Sequence, residues 1–192
     1  GSCPAINPAT RVQSLRMTIP LNDLFHKQLT AFLKMKLYFL RHADALGGMD
    51  DAVRPLSPRG KKEAHKMGEF LKHAGVHLDA AYSSPLLRAQ QTAEIVLKSC
   101  KGADARPLQT VDELLNETSQ GDFDRWLAHL PETRHCLLVG HAPVLAERVC
   151  KLLGMPRSGA LQLEKAGLVC LETTNRRDAG LCFYVSPAVL GG

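Results

Sequence analysis

From Lys36 onward the chain alternates short apolar runs with longer stretches whose apolar positions recur at helical spacing. That alternation is the signature of a layered α/β fold around a largely parallel sheet. Three runs matter most: Leu37-Tyr38-Phe39-Leu40, Leu78 to Tyr82, and Cys136-Leu137-Leu138-Val139. Each is short enough for a buried strand. Helical segments with readable starts lie between them. Ser57-Pro58 supplies an N-cap and a proline at the first helical position, with Ala64, Met67, Leu71 and Ala74 as the buried stripe and Gly75 as the stop. Ser84-Pro85 repeats that start for a helix reaching about Ser99. Asp122 caps a short helix carrying Trp126 and Leu130, and Pro143 begins one that ends at Gly154. Leu168 to Glu172 and Leu181 to Val185 flank Thr173 to Gly180 and predict a hairpin at the sheet edge. The expected fold class is a three-layer α/β/α domain with a mostly parallel central sheet, occupying residues 35–192.

Ahead of that domain stands an extension over residues 1–34. Gly1-Ser2 resembles the remnant of a cleaved tag, and the native start is expected at Met35, Met17 or upstream. Asn22 is placed to cap a helix over 23–34, in which Leu24, Phe25, Leu29, Phe32 and Leu33 share a face for packing on the domain or on a partner.

Composition narrows the classes. A length of 192 residues with 45% hydrophobic and 22% charged residues suits one ordinary globular domain and argues against disorder. No apolar run approaches the roughly 20 residues of a membrane span. The net charge of +5 is spread over scattered Lys and Arg without aromatic interleaving, which argues against nucleic acid and fits attraction of anionic substrates. The six cysteines (Cys3, Cys100, Cys136, Cys150, Cys170, Cys182) include no C-x-x-C pair, and several sit in apolar runs, as reduced core residues do. With no basic-plus-apolar leader in this sequence, a cytoplasmic setting is expected.

In an open α/β sheet, ligands bind beyond the carboxyl ends of the strands, where loops and helix N-termini converge. The first run is followed by Arg41-His42-Ala43-Asp44, the second by Ser83-Ser84-Pro85-Leu86-Leu87-Arg88, and the third by Gly140-His141-Ala142-Pro143. Two arginines and two histidines thus leave three strands at the same edge. The pair Arg134-His135 precedes its strand and belongs at the opposite edge. His65, His73, His77 and His129 fall on solvent-facing helix positions or in loops.

Buried cations without an anion are costly, so the missing partner of this cluster should be an anion. A phosphoryl group fits, because its oxygens accept forked guanidinium hydrogen bonds. Neutral imidazole also attacks phosphorus well, with flanking cations stabilising the charge on the transferring oxygens. His42 is the expected nucleophile, Arg41, Arg88 and His141 hold the phosphoryl group, and Ser83 adds a hydroxyl. No cofactor is implied. His42-x-Asp44 could supply two metal ligands, but a divalent cation beside two arginines would be repelled.

These residues resemble the histidine phosphatase superfamily, a phosphoglycerate mutase-like fold, and within it the SixA-type phosphohistidine phosphatases. The resemblance runs from Lys36 to about Val185 through four ordered segments: Leu37 to Ala45, Arg54-Pro55-Leu56-Ser57-Pro58-Arg59-Gly60, Ser83 to Ala93, and Val139-Gly140-His141-Ala142-Pro143. Ala43 stands where the wider superfamily has glycine, and Ala142 where many relatives of the branch carry asparagine. Larger members use a glutamate as proton donor to the leaving group. Glu113 lies near that place without the expected surrounding motif, and Asp44 is a second candidate acid.

An ordinary phosphate ester has a poor leaving group and gains typically 10²–10⁴-fold from a general acid. Phosphohistidine is already activated, so a site without a firm acid favours it. The resemblance implies a protein substrate, a phosphotransfer or phosphocarrier domain. The alternatives are a small phosphorylated molecule hydrolysed by a broader phosphomonoesterase, and a catalytically silent phosphate-binding module.

Overall fold

Alternate residues of the first strand serve two different cores. β1 (Met35–Arg41) sends Leu37 and Phe39 to one face of the sheet and Tyr38 and Leu40 to the other. The computed structural model, which describes residues 34–48, 50–156 and 159–191, continues this two-sided pattern in its other central strands. β4 (His135–Gly140) splits Cys136 and Leu138 from Leu137 and Val139, and β5 (Leu168–Thr173) splits Val169 and Leu171 from Leu168 and Cys170. A strand buried on both faces must be apolar at nearly every position, which is why these segments read as unbroken runs.

The six-stranded sheet has the order β3-β2-β4-β1-β5-β6, completed by β2 (Ala80–Ser83), β3 (Gln109–Thr110) and β6 (Gly180–Val185). The first four strands in that order are mutually parallel, whereas β5 runs antiparallel to β1 and β6 antiparallel to β5. The expected terminal hairpin is present, with a register irregularity at Cys170/Leu171. Helices α1 (Pro58–His73) and α2 (Leu87–Cys100) cover the Tyr38 face, while α3 (Gln120–Ala128) and α4 (Val144–Leu152) cover the other. This is the α/β/α sandwich expected from the sequence. No helix among the described residues is long and apolar enough to cross a membrane.

Helix starts match the sequence in part. Ser57 caps α1, its side chain accepting from Gly60 N, and Gly75 takes a positive φ of 69° just past the end. Ala74 is the C-cap and is exposed rather than part of the stripe. α3 is capped by Ser119 rather than Asp122, whose backbone N–H is the group being capped. α2 starts at Leu87, after Leu86 and with no side-chain cap, instead of at Ser84-Pro85. The helix expected over 23–34 lies outside the described residues but for Lys34, as does Cys3. Cys100, Cys136, Cys150 and Cys170 are free and buried, and Cys182 is free and exposed.

The start of α1 is pressed onto the loop that leaves β1. A Cβ on Gly60 would come within 1.9 Å of the Asp44 carbonyl oxygen, a contact only glycine permits. Beneath this junction, Ala43, Leu56, Ala64 and Ala166 form a small core of their own.

Candidate active site

Strand register decides which side chains meet. Arg41 lies opposite Gly140 and Ser83 opposite Val139, so His42, Ser84 and His141 leave three adjacent strands at one level. Backbone hydrogen bonds extend the ladder past the strand ends: His42 N donates to Gly140 O and Ser84 N to Val139 O, each at 3.0 Å. The His42 and His141 rings end 5.0 Å apart between centroids, inclined at 49°.

His42 Nδ1 lies 2.8 Å from the Ala43 carbonyl oxygen. A carbonyl can only accept, so Nδ1 carries the ring proton and Nε2 holds a free lone pair. Burial, seconded by the charges of Arg88, Arg41 and Lys165, pushes the His42 pKa down to about 4. The ring is therefore neutral near pH 7. His141 is buried, with Nε2 2.6 Å from Ser84 Oγ. Burial, His42 and Arg88 push its pKa down to about 3, against the opposing pull of Asp51.

The arginines approach from two sides. Arg41 donates from Nη1 to Leu163 O at 2.9 Å, which ties it to the segment ahead of β5. Arg88, only 7% exposed, comes from the first turn of α2. It donates from Nη1 to Asp51 O at 2.7 Å and from Nη2 to Asp51 Oδ2 at 2.9 Å. Asp51 also pairs with Arg54 Nη1 at 2.8 Å, so the loop between β1 and α1 is clasped over Arg88.

Among the described residues, Arg41 Nε, Ser83 Oγ and His141 Nδ1 are buried without a hydrogen-bond partner. Leaving a buried polar group unmet costs about 1–3 kcal/mol. Two guanidinium groups and two neutral imidazoles with unmet polar atoms make a site suited to an oxyanion. No group of three or more His, Cys, Asp or Glu side chains gathers as a metal cradle among the described residues.

Arg41, His42, Ser83, Arg88 and His141 thus all lie at the carboxyl end of the parallel strands, as the sequence predicts. His135 lies at the far end of β4, its Nδ1 2.8 Å from the Tyr38 hydroxyl. The two candidate acids fare differently. Asp44 accepts from Lys165 Nζ and from Ser57 Oγ, both at 2.6 Å, and these bonds, Lys165 first, lower its pKa. These bonds hold it as a carboxylate and brace the loop that leaves β1. Glu113 sits half-buried in a 3₁₀ turn (Asp112–Leu114) packed against the end of β4, where Leu114 O lies 3.0 Å from the position of a Cβ on Gly140.

Three contacting residues escape the sequence reading. Ser84, taken there for a helix cap, is spent instead on His141. Asp51 and Lys165 sit in loops without periodicity, where nothing in the sequence shows what they face.

Comparison with known proteins places the chain in a family. The family model of the histidine phosphatase superfamily (branch 1) matches residues 37–127. The phosphohistidine phosphatase SixA of Escherichia coli is 33% identical over 125 residues, spanning 62% of this chain and 74% of that protein. The mitochondrial serine/threonine-protein phosphatase Pgam5 of Drosophila ananassae is 29% identical over 155 residues, covering 66% of this chain, which spans only 54% of that longer protein. The structure of the protein histidine phosphatase SixA complexed with tungstate superposes with a TM-score of 0.73 at 25% identity, covering 82% of this chain and all of that one. The chain belongs to the histidine phosphatase superfamily.

Proposed function

We propose that this chain is a phosphohistidine phosphatase that removes phosphoryl groups from a histidine of a phosphotransfer or phosphocarrier protein by way of a transient phosphohistidine on His42. The observation that carries the reading is the state of His42 itself. Its Nδ1–H is committed to the Ala43 carbonyl and its pKa is far below neutrality, so Nε2 is an available nucleophile beside two guanidinium groups.

In the first half of the reaction, the Nε2 lone pair forms a bond to phosphorus while the bond from phosphorus to the substrate imidazole nitrogen breaks. That nitrogen keeps the bonding pair and takes a proton from solvent. In the second half, water adds to phosphorus, the bonding pair returns to Nε2, and the water proton leaves with inorganic phosphate. Arg41, Arg88 and His141, with Ser83 beside them, stabilise the charge on the transferring oxygens.

With Asp44 held as a carboxylate by Lys165 and Ser57, the site favours a substrate whose leaving group needs little help. A small phosphorylated molecule is the second reading, and it would call on Glu113 as the proton donor. Rates on phosphate esters against a phosphohistidine protein separate the two.

His42→Ala should abolish turnover and still bind phosphate, while Arg88→Ala should weaken binding and turnover together. An acid-free quench of the wild type with labelled substrate should place phosphate on His42, in an adduct labile to acid and stable to base. Label on another side chain, or substantial turnover by His42→Ala, defeats the assignment.

A further inference from the structure

Arg41, which borders the histidines, also lines a cleft of about 660 Å³ between α1 and the segments carrying Lys165 and Pro187. Its lining is strongly cationic: Arg41, Arg59, Lys62, Lys66 and Lys165 are set against the carboxylates Glu63 and Glu164. Arg59, Lys62 and Lys66 are spaced i, i+3 and i+7, which puts them on one face of α1 over about 10 Å of helix.

We propose that this cleft docks an acidic patch flanking the phosphohistidine on the protein substrate; this rests on the functional reading above and adds to it what the enzyme recognises. The arrangement fits several separate carboxylates better than one compact anion. Its cations are spread along an open wall, and those with partners are held apart from one another: Arg59 lies 2.8 Å from Glu63, Lys66 bonds to Gly191 O, and Lys165 is 2.6 Å from Asp44. A second phosphate would require donors converging on one point. Dispersed, hydrated cations instead raise the encounter rate with an acidic surface and orient it, with the phosphohistidine delivered to His42.

The test pairs Lys62→Glu/Lys66→Glu with two substrates: a phosphotransfer domain phosphorylated on histidine with Asp or Glu beside it, and the phosphoramidate ion. On the protein, kcat/KM should fall about 10-fold or more, mainly through KM, and its salt dependence should flatten. Turnover of phosphoramidate should stay within about twofold, because neither lysine is placed at the transferring phosphoryl group. Replacing the flanking acids of the protein substrate by Asn or Gln should reproduce the loss with the wild-type enzyme and add little in the variant.

Unchanged protein turnover overturns the proposal, as does an equal loss on both substrates. With a small bisphosphate added as a third substrate, a loss confined to it would assign the cleft to a second phosphate and overturn the proposal too. A wild type that cleaves phosphoramidate but no phosphohistidine protein defeats the functional reading itself, an outcome distinct from the others.

Discussion

The charge state of His42 can be tested without any substrate. Its pKa of about 4 in the folded chain, set first by burial and then by Arg88 and Arg41, stands against about 6.5 for an unperturbed histidine. At pH 5 a group with the lowered value is only about 9% protonated, whereas an ordinary histidine would be about 97% protonated. The difference also affects stability. The unfolded chain takes up a proton near pH 6.5 that folded His42 refuses until near pH 4, so stability is retained above 6.5 and lost as the pH falls between those values. The slope is at most about 1.4 kcal/mol per pH unit for this group, and His141, lowered to about 3, adds to it. Side-chain nitrogen NMR on the ligand-free protein reads both the titration and the tautomer. A His42 midpoint near 6.5, or a signal showing Nε2 protonated at pH 7, would refute the argument that burial keeps the nucleophile ready.

Asp51→Asn should tighten phosphate binding by up to about fivefold in a competitive inhibition assay, since the carboxylate that holds Arg88 is 59% exposed and such pairs contribute about 0–1 kcal/mol. Weaker binding would show instead that Asp51 aims Arg88. Arg148, fully buried on α4, donates to Leu115 O and Thr118 O and lies over the Phe123 ring at 4.3 Å. Arg148→Ala should cost about 3 kcal/mol or more in denaturant unfolding, and a loss below about 1 kcal/mol would contradict that anchoring role. Gly60→Ala should lower both activity and the melting temperature, because the atom its Cβ meets at 1.9 Å is backbone and cannot swing aside. A variant that melts and turns over like the wild type would refute the close approach.

Strands and sheet direction are legible in the sequence because burial on two faces demands unbroken apolar runs, and the site edge follows because a parallel strand fixes where its successor residue emerges. Arg41, His42 and His141 are adjacent to their strands and need no further information, and Arg88 needs only one turn of helix. Ser84 is misread because Ser-Pro is also a helix start; here the hydroxyl is taken by His141 and the helix begins three residues later. The partner of Asp44 is hidden because the cation that bonds to it, Lys165, is 121 positions away. Asp51 meets Arg88 through a loop whose path depends on tertiary packing, and no local pattern encodes that.

The hold of Leu163 on Arg41 separates two kinds of genetic change. The acceptor is a main-chain oxygen, so it survives almost any substitution at position 163, and residue identity there reports only on packing. Length is another matter. Adding or deleting one residue between Ala160 and Ala166 moves the carbonyl along the chain by about 3.8 Å, more than a whole hydrogen-bond length. Phosphoryl-transfer competence should therefore tolerate wide variation in spelling across this segment and almost none in spacing.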